Sequence, residues 1–231
     1  SLTVRKGEIF ALVGENGAGK STLARSVAAR LNFLYVDTGA IYRTIGYAVW
    51  RKGIDPRDRS AVVAVLPDLE ICLTYGTDGL QHMELNGMDV TAEIRLPEVS
   101  ILASRVSALP VVRAFLLDMQ RSLARTHSVV MDGRDIGTTV FPDAELKIFV
   151  TATPEIRAQR RYDELKAKGE EASFDEILEN VKQRDYIDQN RDVSPLRKAS
   201  DALLLDNSHL SISQQKEWLA EQFERVIKEK N

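Results

Sequence analysis

Short apolar runs alternate along this chain with stretches whose apolar residues fall three or four apart. Glu8-Ile9-Phe10-Ala11-Leu12-Val13 predicts a buried parallel strand. Leu23, Val27 and Leu31 then give the following segment one apolar helical stripe. Phe33–Val36, ending at Asp37, predicts a second strand, and Thr38–Arg43 turns into a helix that Gly53-Ile54-Asp55-Pro56 breaks. Val99, Leu102 and Val106 mark a helix, and Pro110 starts another with Val112, Phe115, Leu116, Met119 and Leu123 on one side. Ser128–Met131 ending at Asp132, Leu146–Val150 and Ala202–Leu205 predict three more strands. Pro154, after Thr153, opens a charged helix that Gly169 ends, and Phe174, Ile177, Leu178 and Val181 start another. Ser211 with Gln214 resembles a capping box before a last helix that buries Leu219, Phe223 and Val226.

Residues from about Glu70 to Thr91 follow a different rhythm. Ile71, Leu73 and Tyr75 alternate with Cys72 and Thr74, and Asp78-Gly79 and Asn86-Gly87 are hairpin signals. The pattern predicts an α/β fold: a parallel sheet covered by helices on both faces, interrupted by a small antiparallel insertion.

The first strand runs into Gly14-Glu15-Asn16-Gly17-Ala18-Gly19-Lys20-Ser21, which fits the phosphate-loop pattern G-x-x-x-x-G-K-[ST] between a strand and a helix. Glycines let successive backbone N–H groups curl around phosphate oxygens, and the helix N-terminus adds partial positive charge. Gly14, Gly17, Ala18, Gly19, Lys20, Ser21 and Thr22 are therefore the candidate ATP-binding residues. Lys20 can reach the β- and γ-phosphates, and the Ser21 hydroxyl can ligate Mg²⁺.

Composition changes this picture little. The chain has 231 residues, 44% of them hydrophobic and 28% charged, within the range of one soluble α/β domain. A net charge of -3 suggests no nucleic-acid partner. No apolar run approaches the ~20 residues of a membrane span, and no secretory signal is visible, so a cytosolic protein is expected. Cys72 is the only cysteine, which excludes an internal disulfide and a multi-cysteine zinc site.

Open parallel sheets bind ligands at the carboxyl ends of their strands. Three polar clusters fall there: the phosphate loop, Asp37-Thr38-Gly39 and Asp132-Gly133-Arg134-Asp135. A lone aspartate at a strand end is ordinarily a helix cap. Two acids and an arginine on one tight turn call for a polar ligand. Asp132, ending an apolar strand, is also a candidate metal-organising carboxylate. Arg157, Arg160 and Arg161 share the helix after Pro154 and suit a lid over transferring phosphates, although a solvated charged face is the ordinary alternative. Arg184, Asp188 and Arg191 share one helix face, where an intrahelical ion pair is the competing explanation. His82, His127 and His209 are scattered and carry no role. These parts describe a small phosphotransferase.

From Ser21 onward the chain resembles bacterial cytidylate kinases. The matching pieces are Leu34–Arg43; Leu85-Asn86-Gly87 through Val90-Thr91 and Glu93-Ile94-Arg95; Ala103-Ser104 through Pro110 and Arg113; Met131–Thr138 with Val140–Ala144; and Arg184-Asp185 through Asp188, Arg191 and Ser194-Pro195-Leu196. The resemblance implies transfer of the ATP γ-phosphoryl group to CMP or dCMP. It implies that Thr38, Arg113 and Asp135 recognise the cytosine edge, that Arg43, Arg134 and Arg191 hold the CMP phosphate, and that Ser104, Arg184 and Asp188 line the ribose. Lys20, Arg157 and Arg161 are the implied catalytic cations, the two arginines arriving from the lid, with Mg²⁺ held through Ser21 and Asp132. The implied organisation is one kinase domain: a core of about 1–62 and 116–231, a CMP-binding insertion of about 63–115, and a short zinc-free lid of about 154–170. A cytoplasmic monomer without nucleic-acid or membrane partners is expected.

Residues 1–23 instead resemble the Walker A region of ABC-transporter ATPases. Val13 stands where an aspartate is common in the kinases, and Glu15 and Asn16 replace small residues. Glu15 brings a carboxylate near the triphosphate unless its side chain turns outward. No LSGGQ-type signature or Walker B Asp-Glu pair follows, so the ABC likeness stops at residue 23. Three alternatives stay open: a nucleotide-binding chimera with impaired catalysis, a related kinase acting on UMP or a shikimate-like acceptor, and an ABC-type transport subunit, which would need partner subunits and a dimer signature that the sequence does not show.

Overall fold

The computed structural model describes residues 7–77 and 79–229. Asp78 and the first six residues, part of the ABC-like stretch, lie outside the described residues. Five of the apolar runs pair into one parallel sheet. They are β1 (Ile9–Gly14), β2 (Leu34–Asp37), β6 (Val129–Gly133), β7 (Leu146–Thr151) and β8 (Leu203–Asp206), in the order β2-β6-β1-β7-β8. Successive side chains on a strand face opposite ways. Accordingly Phe10 and Leu12 pack with Leu23, Val27, Leu219 and Phe223, from α1 (Lys20–Leu31) and α8 (Ile212–Glu229). Ala11 and Val13 face the other layer, with Met131, Ile136 and Val140, against which Leu123 of α5 (Pro110–Thr126) packs.

The predicted insertion is a separate antiparallel sheet of β3 (Ile71–Tyr75), β4 (Gln81–Leu85) and β5 (Met88–Asp89). Its buried Ile71, Met83 and Leu85 join a second core with Ile41, Ile45 and Val49 of α2 (Thr38–Arg51), Val106 of α4 (Pro97–Ser107), and Val112 and Leu116 of α5. Two charged helices, α6 (Pro154–Ala167) and α7 (Phe174–Asn190), pack on one another beyond β7. The helix signals act as read: Thr153 Oγ1 accepts from Ile156 N at 3.3 Å, and Ser211 and Gln214 exchange bonds of 2.9 and 3.2 Å.

Some features were not legible. Helix α3 (Arg59–Val65) buries only Val62, too little to set a periodic pattern. A π-helical turn, Ile136–Val140, follows Asp135, whose carbonyl accepts from the N–H groups of Thr138, Thr139 and Val140. Phe115, placed on the apolar side of α5, is 38% exposed at the margin of that stripe. Among the described residues no single helix is long and apolar enough to cross a membrane.

Candidate active site

The phosphate loop joins β1 to α1 at the carboxyl end of the sheet. Gly14, at φ +147°, passes so close to β7 that an added Cβ would lie 1.9 Å from the Val150 carbonyl oxygen. Asn207, after β8, steadies the loop by donating from Nδ2 to the Ala18 carbonyl. The Lys20 ammonium is buried and donates to the Glu15 carbonyl at 2.6 Å. Burial, then the nearby Arg134 guanidinium, bring its pKa down to about 7. Ser21 Oγ donates to Asp132 Oδ2 at 2.7 Å, and the Tyr35 hydroxyl donates to Oδ1 at 3.0 Å. Burial, reinforced by Asp37, raises the Asp132 pKa. Thr22 lies exposed on the first turn of α1. The Glu15 side chain does not turn outward: it is 9% exposed, and Oε2 has no protein partner.

All nine residues expected to contact the acceptor line one pocket: Thr38, Arg43, Ser104, Arg113, Arg134, Asp135, Arg184, Asp188 and Arg191. They come from α2, α4, α5, the turn after β6, α7 and its C-cap. Gly133 is required where that turn begins, because a Cβ there would meet Thr38 Oγ1 at 2.5 Å. Thr38 Oγ1 instead donates to the Asp132 carbonyl at 2.8 Å, locking α2 to the turn.

The pocket sets five arginines against two aspartates. Arg113 pairs with Asp135, both buried, and Arg134 Nε donates to Asp188 at 3.0 Å. Burial lowers the Arg184 pKa to about 9, helped by Arg134 and Arg43, and it also lowers those of Arg43 and Arg191. For Asp188, burial acts upward, but Arg134, Arg191 and Arg184 hold the carboxyl below its usual value. Arg43 Nη1, Arg113 Nε, Arg184 Nε and Arg191 Nη2 are buried without a hydrogen-bond partner. Buried donors of this kind call for an acceptor, and a cluster of guanidinium groups calls for an anion. Arg134 Nη2 also lies 3.4 Å from Asn16 Oδ1 in the phosphate loop, so one guanidinium spans the gap between loop and pocket.

The lid candidates stand apart. Arg157 is buried and donates to Asp185 at 2.6 and 3.0 Å, to the Asn16 carbonyl at 3.1 Å and to the Ala152 carbonyl at 2.8 Å. It lines a second cleft with Glu15, Lys182 and Asp185. Arg160 bonds Asn207. Arg161 lines neither cleft and pairs with Glu164 at 3.0 Å. The ion pair weighed for Arg191 and Asp188 exists only at 3.9 Å, since Arg134 holds that carboxylate more closely. Asp37 does cap α2, accepting from Ala40 N at 2.9 Å.

Three participants escaped the sequence reading. Tyr42 lies beneath the Arg113 guanidinium, 5.2 Å from its ring centre. The Ser107 hydroxyl accepts from Arg191 at 3.0 Å, and its carbonyl accepts from Arg113 at 3.0 Å. Tyr35 orients Asp132. Tyr35 lies in the apolar run Phe33–Val36 and Tyr42 in the helix after it, where nothing in the pattern assigns them a role. Only the Ser104/Ser107 spacing on one helix face hints at the serine.

The cytidylate kinase family model matches residues 10–225, from within β1 through the whole loop and pocket. The chain belongs to the cytidylate kinase family. The protein of Bacteroides thetaiotaomicron named cytidylate kinase is 55% identical over 95% of this chain and 98% of its own length. That of Bacteroides fragilis is 52% identical over 95% and 97%. A solved shikimate kinase structure from B. thetaiotaomicron covers 94% of this chain and 98% of its own at 17% identity and a TM-score of 0.42, too slight a likeness to bear on the acceptor. Membership makes the chain a phosphotransferase and removes the ABC-subunit alternative.

Proposed function

We propose that this kinase transfers the γ-phosphoryl group of ATP to CMP or dCMP, giving ADP and the cytidine diphosphate. The observation that carries this reading is the acceptor pocket itself, with four buried arginine nitrogens lacking hydrogen-bond partners beside a phosphate loop. Arg43, Arg134 and Arg191 hold the acceptor phosphate. Ser104, Arg184 and Asp188 line the ribose. Asp135 accepts from the exocyclic amine of cytosine while Arg113 donates to the ring acceptors, the polarity that cytosine presents. An oxygen of the acceptor phosphate attacks the γ-phosphorus in line as the bond to the ADP oxygen breaks. The attacking oxygen is already ionised, so no general base is needed.

Lys20 and the loop N–H groups stabilise charge on the transferring group and the departing ADP. The half-buried Ser21 hydroxyl and the buried Asp132 carboxylate, 2.7 Å apart, are oxygen donors of the kind Mg²⁺ accepts. Among the described residues no group of three or more metal-ligating side chains exists, so the metal would complete its shell with phosphate and water. Held by these two side chains, Mg²⁺ would supply charge neutralisation to the triphosphate. Residues 63–115 act as the acceptor-binding insertion. Residues 154–170 act as a lid that brings Arg157 and Arg161 onto the phosphates, Arg161 leaving Glu164 to do so. The protein works as a cytosolic monomer on this reading.

A coupled assay of ADP release across a panel of monophosphates tests the proposal. Release that requires CMP or dCMP is expected. Equal rates with AMP, or release independent of any monophosphate, would overturn it.

A further inference from the structure

Strand β2 lies at the edge of the main sheet, so one row of its backbone groups has no strand partner. The small sheet fills that row with side chains. The Tyr75 hydroxyl donates to the Tyr35 carbonyl at 2.8 Å. The Gln81 carboxamide brackets the peptide groups of Asp37 as a neighbouring strand would, accepting from its N–H at 2.7 Å and donating to its C=O at 3.2 Å. Tyr75 and Gln81 are directly opposite one another in the β3–β4 ladder, so a single cross-strand pair spans the edge from Tyr35 to Asp37. Arg95, beyond β5, donates to Asp37 Oδ2 at 2.9 Å, and Arg43 Nη1 stands 3.8 Å from that oxygen.

Asp37 thus joins the two sheets to the acceptor pocket. Its Oδ1 caps α2, which carries Thr38 and Arg43, while its Oδ2 faces Arg43 and Arg95 together. We propose that Tyr75, Gln81 and Arg95 form a clasp that positions Arg43 and Thr38 for the acceptor nucleotide through Asp37. Gln81 and Arg95 are positioning residues. The inference rests on the assignment of Arg43 and Thr38 to the CMP site. Among the described residues no hydrogen bond runs directly from the clasp to the phosphate loop, so its larger effect is expected on the acceptor.

The test measures KM for CMP, KM for ATP, kcat and the thermal midpoint on the full chain carrying Gln81→Leu, Arg95→Met, Arg95→Lys or Tyr75→Phe. In Gln81→Leu and Arg95→Met, KM for CMP is expected to rise about five- to ten-fold, the scale of one hydrogen bond, with KM for ATP and kcat held within about two-fold. Arg95→Lys keeps a cation on Asp37 and restores KM for CMP. Tyr75→Phe, which removes one hydroxyl from a half-buried ring, gives a smaller rise. A lowered thermal midpoint with the ratio of the two KM values unchanged overturns the clasp, as does an equal rise in both. Should Gln81→Leu fail to fold, an unchanged KM for CMP in Tyr75→Phe and Arg95→Met overturns it equally. Arg43→Ala separates the layers: an unmoved KM for CMP there removes the site assignment itself, whereas a rise there but not in the clasp variants removes only the clasp.

Discussion

The donor loop and the acceptor pocket lie on the same rim of the sheet but are built on opposite principles. The loop is backbone geometry, and apart from the buried Glu15 carboxylate its polar groups find partners within the protein: Lys20 on the Glu15 carbonyl, Ser21 on Asp132, Asn207 on the Ala18 carbonyl. The pocket is side-chain charge, and four of its arginine nitrogens find no hydrogen-bond acceptor. Binding at the loop exchanges one set of bonds for another, whereas binding at the pocket completes an unfinished set. The acceptor side therefore carries the larger share of uncompensated charge and sets the anion requirement.

The sharpest way to break this contrast is to remove one cation from each side. Lys20→Ala is expected to lower kcat by about 10²–10³-fold, the scale of losing one preorganised transition-state donor, in steady-state assays saturated with both nucleotides. Arg43→Ala is expected to lower kcat/KM for CMP by about 10²-fold, with KM for ATP unchanged. An equal effect of both variants on both substrates would abolish the distinction between the sides. Next comes the base: Asp135→Asn is expected to reduce the preference for CMP over UMP by about ten-fold or more, read as the ratio of kcat/KM values. The isosteric amide is chosen because deleting one partner of the buried Arg113 pair outright costs about 3–5 kcal/mol of stability.

A smaller effect concerns protons. Lys20, with its pKa held near 7, is largely neutral at pH 8, and an arriving triphosphate favours the ammonium. Triphosphate binding at pH 8 should therefore take up a proton, seen as calorimetric enthalpies that vary with buffer ionisation heat, and the uptake should fade at pH 6. The same depressed value lets the unfolded chain bind more protons than the folded one between about pH 7 and 10.5, so this group makes stability rise with pH across that window. The smallest expected change is in Tyr35→Phe, which frees one Asp132 oxygen and should raise the Mg²⁺ concentration for half-maximal activity by about three-fold.

The two regions also differed in how far sequence could carry them. The loop is contiguous, so eight residues and their flanks disclose strand, turn and helix at once. The pocket draws on five elements spread along the chain. Motif likeness names its arginines, but only packing shows that Ser107 holds Arg191 and that Tyr42 supports Arg113. Arg157 shows the limit from the other side. Its place on the charged helix after Pro154 suits a lid cation, and in the fold three of its bonds tie α6 to the loop and α7. The Ile136–Val140 turn left no periodic trace because its shape follows from the N–H groups gathered on one carbonyl.

The end of β6 and the turn that follows it belong to both halves of the site: Asp132 faces Ser21, and three positions later Asp135 meets Arg113. Anyone redesigning the kinase for a new acceptor inherits that economy as a constraint, since rebuilding the turn would also disturb the donor's footing. Retargeting is best attempted from α4, α5 and α7, which reach the acceptor while leaving the shared strand untouched.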